Sequence, residues 1–182
     1  MFAAVFVVSF VWLDPDLVRE RMHPGGKKPP LALRLFMAVL FVHWIIAGLD
    51  RGRLHFSDNV PLWLQALGLA VLAASWGLVF WAIFVNRFFS SVVRIQEDRG
   101  HFVVTTGPYR FIRHPGYAAG ILIMLDSGVA LGSWIAAGVL VVTSLPFLLH
   151  RAVIEDRVLR ADLPGYDGYA ARVRWRLLPG IW

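Results

Sequence analysis

The chain has 182 residues, of which 58% are hydrophobic and 16% charged, and its mean hydropathy is +0.62. This composition excludes an ordinary soluble domain and leaves room for four or five membrane crossings with one small polar cap. Because cysteine is absent, disulfides and thiolate metal sites are excluded as well.

The apolar runs predict an all-α, polytopic membrane bundle of about five membrane helices. The first run, Met1 to Leu13, reaches only about 20 Å as a helix, short of a core roughly 30 Å thick, so whether it spans stays open. The stronger predicted spans are Leu31 to Leu49, Pro61 to Val85, Gly116 to Leu131 and Trp134 to His150, the last two forming a hairpin turned at Gly132-Ser133.

The basic residues predict the orientation of the bundle. If the N-terminus faces out, the inner segments 14–34, 86–115 and 151–182 hold every Lys and Arg except Arg51 and Arg53. That asymmetry is typical of the positive-inside rule. The net charge of +6 is therefore read as topology and attraction to membrane lipids, with no nucleic-acid partner. We expect an integral protein of a bacterial cytoplasmic membrane.

The end of the chain predicts a cytosolic helical cap. No helix breaker lies between Pro146 and Pro164, so the last membrane helix should continue past His150 and stop at Pro164-Gly165. Residues 166–174 fit a short amphipathic helix on the membrane surface. His43, in the middle of a predicted span, is expected to make a structural hydrogen bond.

Two polar segments on the inner face stand out from this apolar background. The first runs from Gly107 to Tyr117 and contains Arg110, Arg113 and His114 between prolines and tyrosines; the second is the pair Glu155-Asp156. Each has an ordinary interpretation taken alone. Arg110 and Arg113 fit anchors for lipid phosphate, and the two acidic residues fit a solvated face paired with Arg151 and Arg160.

Together, these segments resemble the isoprenylcysteine carboxyl methyltransferase family and, more distantly, the phospholipid N-methyltransferases. The matching residues are Gly107-Pro108-Tyr109, Arg113-His114-Pro115-Gly116-Tyr117, the acidic pair, and the Arg176-Leu177-Leu178-Pro179-Gly180 ending. The family usually has Glu-Glu where this chain has Glu155-Asp156. The resemblance covers about residues 80–182, which we take as the catalytic half of a single domain, 1–182.

The resemblance implies S-adenosylmethionine as methyl donor, with S-adenosylhomocysteine as product. It places cofactor contacts at Gly107, Pro108, Tyr109, His114, Pro115, Tyr117, Glu155 and Asp156. The carboxylates would accept hydrogen bonds from the ammonium or ribose of the donor, and the aromatic side chains would face its adenine or sulfonium. No metal site is indicated.

The methyl acceptor should be a lipophilic small molecule or lipidated substrate. A carboxylate is already ionised at neutral pH and requires no base, so Arg113 is expected to orient it through a two-pronged contact, with Arg151 behind it. An amine acceptor would use His114 or Glu155 as base. We thus take Arg113, His114 and Glu155 as the catalytic residues.

Other functions stay open at this point. A phospholipid amine or a small thiol is an alternative acceptor. A membrane reductase using NADPH and a non-catalytic lipid-binding subunit are the rival classes. The oligomeric state is not indicated by the sequence.

Overall fold

The computed structural model describes Glu20 and residues 31–182, and these contain helices and no strand. The all-α class is therefore confirmed for the described residues. Within residues 31–182, five α-helices follow one another: α1 Leu31–Leu49, α2 Leu62–Val85, α3 Pro115–Ala130, α4 Trp134–Asp162 and α5 Tyr166–Arg172.

The number of spanning helices is smaller than the five expected. Three helical segments of the described chain are long and apolar enough to cross a membrane, namely Arg34–Leu54, Leu62–Val85 and Trp134–Asp162. Helix α3 has 16 residues, or about 24 Å at 1.5 Å per residue, which is shorter than a roughly 30 Å core. The run from Met1 to Leu13 lies outside the described residues.

Helix α4 carries the chain from the bundle into the polar cap without a break. Its 29 residues include Pro146 and end at Asp162, as the sequence predicts. At 1.5 Å per residue it is about 43 Å long, so it projects well beyond a core of roughly 30 Å. Gly165 then takes a left-handed conformation with φ 84°, and α5 follows at once, two residues shorter than predicted.

Helices α3 and α4 form the expected hairpin, packed closely at its turn. A Cβ added at Gly128 would lie 2.2 Å from the main-chain nitrogen of Ala137. Ser133 caps α4, because its hydroxyl accepts a hydrogen bond from the main-chain nitrogen of Ala136. The absence of a side chain at Gly128 therefore lets the two backbones approach closely.

Helix α1 is joined to the hairpin by two polar contacts. The hydroxyl of Ser127 donates to Nε2 of His43 over 2.8 Å, which confirms the structural role expected for His43. At the end of α1, the fully buried carboxylate of Asp50 accepts hydrogen bonds from the hydroxyls of Ser57 and Ser133. These contacts fix the end of the bundle that lies away from the two polar segments.

The long connection 86–114 between α2 and α3 is irregular apart from two short 3₁₀ turns. It is held internally by Gln96, whose side-chain amide donates to the carbonyl of Phe88 over 2.6 Å. It is held externally by Glu20, which accepts hydrogen bonds from Ser90 and Arg94. A connection of this length without regular structure is typical of a functional segment.

Candidate active site

The two polar segments meet through a buried ion pair. Arg113 Nε lies 2.8 Å from Oδ1 of Asp156 and Arg113 Nη2 lies 3.1 Å from Oδ2, so the contact is two-pronged. The Asp156 side chain is 1% exposed and that of Arg113 is 3% exposed. A bidentate pair of this kind fixes both side chains.

Asp156 is the centre of a wider network of donors. Its two oxygens also accept hydrogen bonds from His114 Nε2, the Tyr166 hydroxyl, Arg160 Nε and Arg176 Nε. Burial, and then the neighbouring charge of Asp156, raise the pKa of the Tyr166 hydroxyl well above its usual range, so it remains a donor. Both oxygens of the Asp156 carboxylate therefore accept hydrogen bonds from other residues of the protein.

The guanidinium group of Arg113 likewise donates hydrogen bonds to other residues of the protein. Its Nη1 donates to the carbonyls of Val173 and Arg174 over 2.8 and 2.7 Å. Its main-chain nitrogen donates to the carbonyl of Trp175, and that of His114 donates to the carbonyl of Arg176. Arg113 therefore joins the first polar segment to both α4 and the segment 173–176, which argues against the expected two-pronged contact with an acceptor.

Glu155 has a different environment from its neighbour. Its side chain is 32% exposed, and its Oε1 lies 4.0 Å from Nδ1 of His114. The Tyr117 hydroxyl donates to its other oxygen over 2.6 Å, and Arg151 Nε donates to the same hydroxyl over 3.3 Å. The expectation that the two segments meet at one place is confirmed by these distances.

A cavity of about 290 Å³ lies beside this group, close to the lower end of the range usual for small-molecule sites, about 300–1,000 Å³. Its polar part includes His114, Glu155 and Arg151. Its apolar part includes Phe36 and Met37 of α1 with Phe147 of α4, together with further aromatic residues. Asp156 does not line it. The cavity thus extends beyond the expected catalytic half, 80–182.

The remaining predicted cofactor residues surround the cavity to different degrees. Tyr109 and Tyr117 line it. Pro108 and Pro115 are buried, and each stands in the first turn of a helix, where a fixed φ suits proline. Gly107 has φ 57°, and an added Cβ would lie 2.7 Å from the Val85 side chain, so a larger residue would not fit there.

Sequence reasoning did not identify His101 as part of this site. The main-chain nitrogen of Gln96 donates to its Nδ1 over 3.2 Å, its ring stacks on Phe88 at 4.4 Å between centroids, and it lines the cavity. Burial, and then the charges of Arg94 and Arg99, lower the pKa of His101 from its usual value. The sequence feature that could have pointed to His101 is the unusual length of the connection 86–114.

The donor set suits an organic ligand. Among the described residues, no group of three His, Cys, Asp or Glu side chains could hold a metal ion. The cavity instead offers the partly exposed carboxylate of Glu155, the imidazoles of His101 and His114, and several aromatic faces, beside the guanidinium groups of Arg94, Arg113 and Arg151. A carboxylate and aromatic faces together attract an organic cation.

Comparison with known proteins gives a consistent picture. The model of the isoprenylcysteine carboxyl methyltransferase family matches residues 66–161, more than half of the chain. Protein-S-isoprenylcysteine O-methyltransferase B of Arabidopsis thaliana is 28% identical over 113 residues, covering 61% of this chain and 57% of that protein. The cobalt-zinc-cadmium resistance protein CzcN of Cupriavidus metallidurans is 32% identical over 115 residues, covering 62% of this chain and 47% of that protein.

The chain spans about half the length of these curated relatives. The protein-S-isoprenylcysteine O-methyltransferase of Schizosaccharomyces pombe is 25% identical over 89 residues, covering 48% of this chain and 38% of that protein. No solved structure gives a significant match. The region shared with the family includes α3 and nearly all of α4, and hence His114, Glu155 and Asp156.

Proposed function

We propose, because this chain belongs to the isoprenylcysteine carboxyl methyltransferase family, that it is an integral membrane methyltransferase using S-adenosylmethionine. The observation that carries the proposal is the 4.0 Å approach of His114 to Glu155 at the polar end of a cavity with an apolar end. The polar end of this cavity suits a water-soluble methyl donor, and its apolar end suits a lipophilic acceptor. We take residues 1–182 as a single domain for this function.

The residues present fit the donor. Glu155 would accept hydrogen bonds from the ammonium group of the donor, since this carboxylate is partly exposed and its Oε1 lies away from the oxygen that accepts the hydrogen bond from Tyr117. Because Nε2–H of His114 donates to Asp156, Nδ1 is the ring nitrogen left for the ligand. Tyr109 and the neighbouring aromatic side chains would cover the apolar faces of the donor.

Asp156 and Arg113 take a supporting role in this proposal. Both are buried and bonded to each other. Arg113 also lines the cavity, but its guanidinium is engaged by Asp156 and by the carbonyls of Val173 and Arg174, so we assign both residues to positioning His114 and the segment 173–176. This differs from the sequence-based hypothesis, in which Asp156 contacts the donor and Arg113 the acceptor. The shorter side chain of Asp156, where the family usually has Glu, suits a carboxylate held close to α4.

Arg151 is the residue we assign to an acceptor carboxylate. It lines the cavity, and its guanidinium lies 5.7 Å from the centroid of the Phe147 ring. Its Nε donates to the Tyr117 hydroxyl and its Nη2 donates to the carbonyl of Ser91, so Nη1 is the nitrogen that we assign to the acceptor. A carboxylate bound there would direct an attached hydrocarbon chain along Phe147 toward Phe36 and Met37. These residues belong to the apolar end of the same cavity.

The reaction is an in-line displacement. A carboxylate oxygen of the acceptor forms a bond to the methyl carbon as the bond from that carbon to the sulfonium breaks, and neutral S-adenosylhomocysteine leaves. The acceptor is ionised at neutral pH, so no proton has to be removed. The protein contributes alignment of the two ligands and exclusion of water, and we place this site at the cytosolic face.

Transfer of labelled methyl from S-adenosylmethionine to N-acetyl-farnesylcysteine tests the proposal. The product should be a methyl ester, which releases its label as methanol on treatment with base. The matched control is the corresponding amide, which has the same tail but no carboxylate and should not be labelled. Equal labelling of the amide, or binding of S-adenosylhomocysteine without any ester formation, would overturn the carboxylate assignment.

A further inference from the structure

A second cavity lies beside Arg110 and Phe111, just before Arg113 and His114 in the chain. Its volume is about 340 Å³, and its lining consists of Arg110, Phe111, Arg172, Val173, Arg174, Trp175 and Pro179. We call this group the arginine cleft. It shares no lining residue with the cavity beside Glu155, so it is a separate site.

The arginine cleft is strongly basic in the part of the chain that the structure describes. Three of its lining residues are arginines and none is acidic. Within residues 31–182, the ion pairs of the structure include none of these three guanidinium groups. Three like charges around one cleft repel one another, so an anion bound between them would stabilise the arrangement.

The surroundings of the arginine cleft are unusually apolar for an exposed basic surface. Phe111 is 58% exposed and Trp175 is 38% exposed, and Leu178 and Ile181 in the following turn are also exposed. Exposed aromatic and aliphatic side chains beside arginines are typical of a surface that rests in the headgroup region of a bilayer. A free inorganic anion would explain the arginines but not these side chains.

The position of the cleft fits such a surface. Arg110 and Phe111 immediately precede the site residues Arg113 and His114, and Arg172 to Trp175 follow α5, so the cleft lies at the end of the bundle that carries Glu155. The charge distribution of the sequence predicts that this end faces the anionic leaflet of the membrane. The cavity and the apolar rim would then meet lipid headgroups and acyl chains together.

From this combination, the geometry points to a binding site for the phosphate headgroup of an anionic phospholipid, formed by Arg110, Arg172 and Arg174. The guanidinium groups bind the phosphate, and Phe111 and Trp175 lie at the depth of the glycerol and upper acyl chain. The carbonyls of Val173 and Arg174 accept hydrogen bonds from Arg113. A bound lipid therefore stabilises the segment that positions Arg113, and this inference does not rest on the proposed function.

Lipid retention by the purified full-length chain tests the inference. The chain, solubilised with equal amounts of phosphatidylglycerol and phosphatidylcholine, is examined by native mass spectrometry for the lipid that remains bound. We expect preferential retention of phosphatidylglycerol, and a loss of about tenfold or more in that preference when Arg110→Gln, Arg172→Gln and Arg174→Gln are combined. Thermal unfolding in detergent should also shift upward with phosphatidylglycerol in the unaltered chain and not in this triple variant.

Two matched variants make the result specific. Arg34→Gln, Arg53→Gln and Arg157→Gln remove the same charge from exposed positions outside the cleft and should leave the preference unchanged. The triple change to Lys at positions 110, 172 and 174 keeps the charge and should keep most of the preference. Equal loss in both Gln triples, or full displacement of the lipid by millimolar inorganic phosphate, would overturn the phospholipid site.

Discussion

His114 and Glu155 lie side by side at the polar end of the cavity, with Nδ1 of the imidazole 4.0 Å from Oε1 of the carboxylate. They come from different helices, since His114 caps the start of α3 and Glu155 lies on the extension of α4. Their approach depends on Asp156, which holds the other nitrogen of His114. Adjacent acidic residues thus have different environments, since Asp156 is buried among its ion-pair partners and Glu155 is partly exposed in the lining of the cavity.

Replacement of Glu155 tests the ligand-directed carboxylate. Glu155→Gln keeps the size of the side chain but removes its charge, so S-adenosylhomocysteine should bind more weakly by about 1.5–3 kcal/mol, the range for a hydrogen bond to a charged group. Isothermal titration calorimetry measures this change. The control is Glu97→Gln, which alters an exposed carboxylate of the connection 86–114 and should leave the affinity unchanged; equal affinities in both variants would remove Glu155 from the site.

Replacement of Asp156 tests the structural carboxylate. Asp156→Asn leaves Arg113, Arg160 and Arg176 around a neutral side chain, and losing one partner of a buried ion pair costs about 3–5 kcal/mol. We expect a large decrease in thermal stability in detergent, whereas Glu155→Gln should unfold near the temperature of the unaltered chain. If Asp156→Asn retained full stability and lost only donor affinity, the sequence-based role of Asp156 as a cofactor ligand would be restored.

Substitution by lysine should have different effects at Arg113 and at Arg151. Arg113→Lys loses the two-pronged contact with Asp156 and should destabilise the chain by about 1.5–3 kcal/mol. Arg151→Lys should leave stability nearly unchanged and raise the KM for a carboxylate acceptor roughly tenfold or more. Steady-state kinetics with parallel unfolding curves separate these effects, and an unchanged acceptor KM in Arg151→Lys would contradict its assignment.

The helices could be predicted from the sequence because each one has a clear physical boundary. Helix α1 matches the predicted range Leu31–Leu49, and α4 ends before Pro164-Gly165 as expected. The exception is α3, which was counted as a full span although its 16 residues are short. Apolar composition identifies a buried helix but does not distinguish a complete crossing from a shorter one.

The site could be predicted only in part. The sequence indicates on which face of the membrane a residue lies, but it does not show which groups that residue contacts. The family resemblance assigns Asp156 to the methyl donor, and the charge of a carboxylate acceptor suggests Arg113 as its partner. In the folded chain they satisfy each other, which depends on contacts over long sequence separation. Main-chain carbonyls at positions 173–176 complete this network. Because every residue has a main-chain carbonyl, the side chains in the sequence do not indicate which ones take part.

A neutral His101 is the basis of a prediction on pH. The pKa of this group is lower in the folded chain than the unfolded value of about 6.5, so between these values the unfolded chain binds more protons. The free energy of unfolding therefore falls as the pH decreases from about 7 through this window. Protonation would also remove the acceptor that Nδ1 offers to the main-chain nitrogen of Gln96, loosening the connection 86–114 at the cavity.

His101→Asn provides the matched variant, because an amide oxygen can replace Nδ1 as acceptor without titrating. Thermal unfolding followed from about pH 7.5 down to about pH 5.5 should show a smaller loss of stability in the variant than in the unaltered chain. His55→Asn is the control, since His55 is exposed on the connection between α1 and α2, and its pH profile should follow that of the unaltered chain. Parallel profiles for all three proteins would show that His101 does not titrate in this range and that another group sets the acid sensitivity.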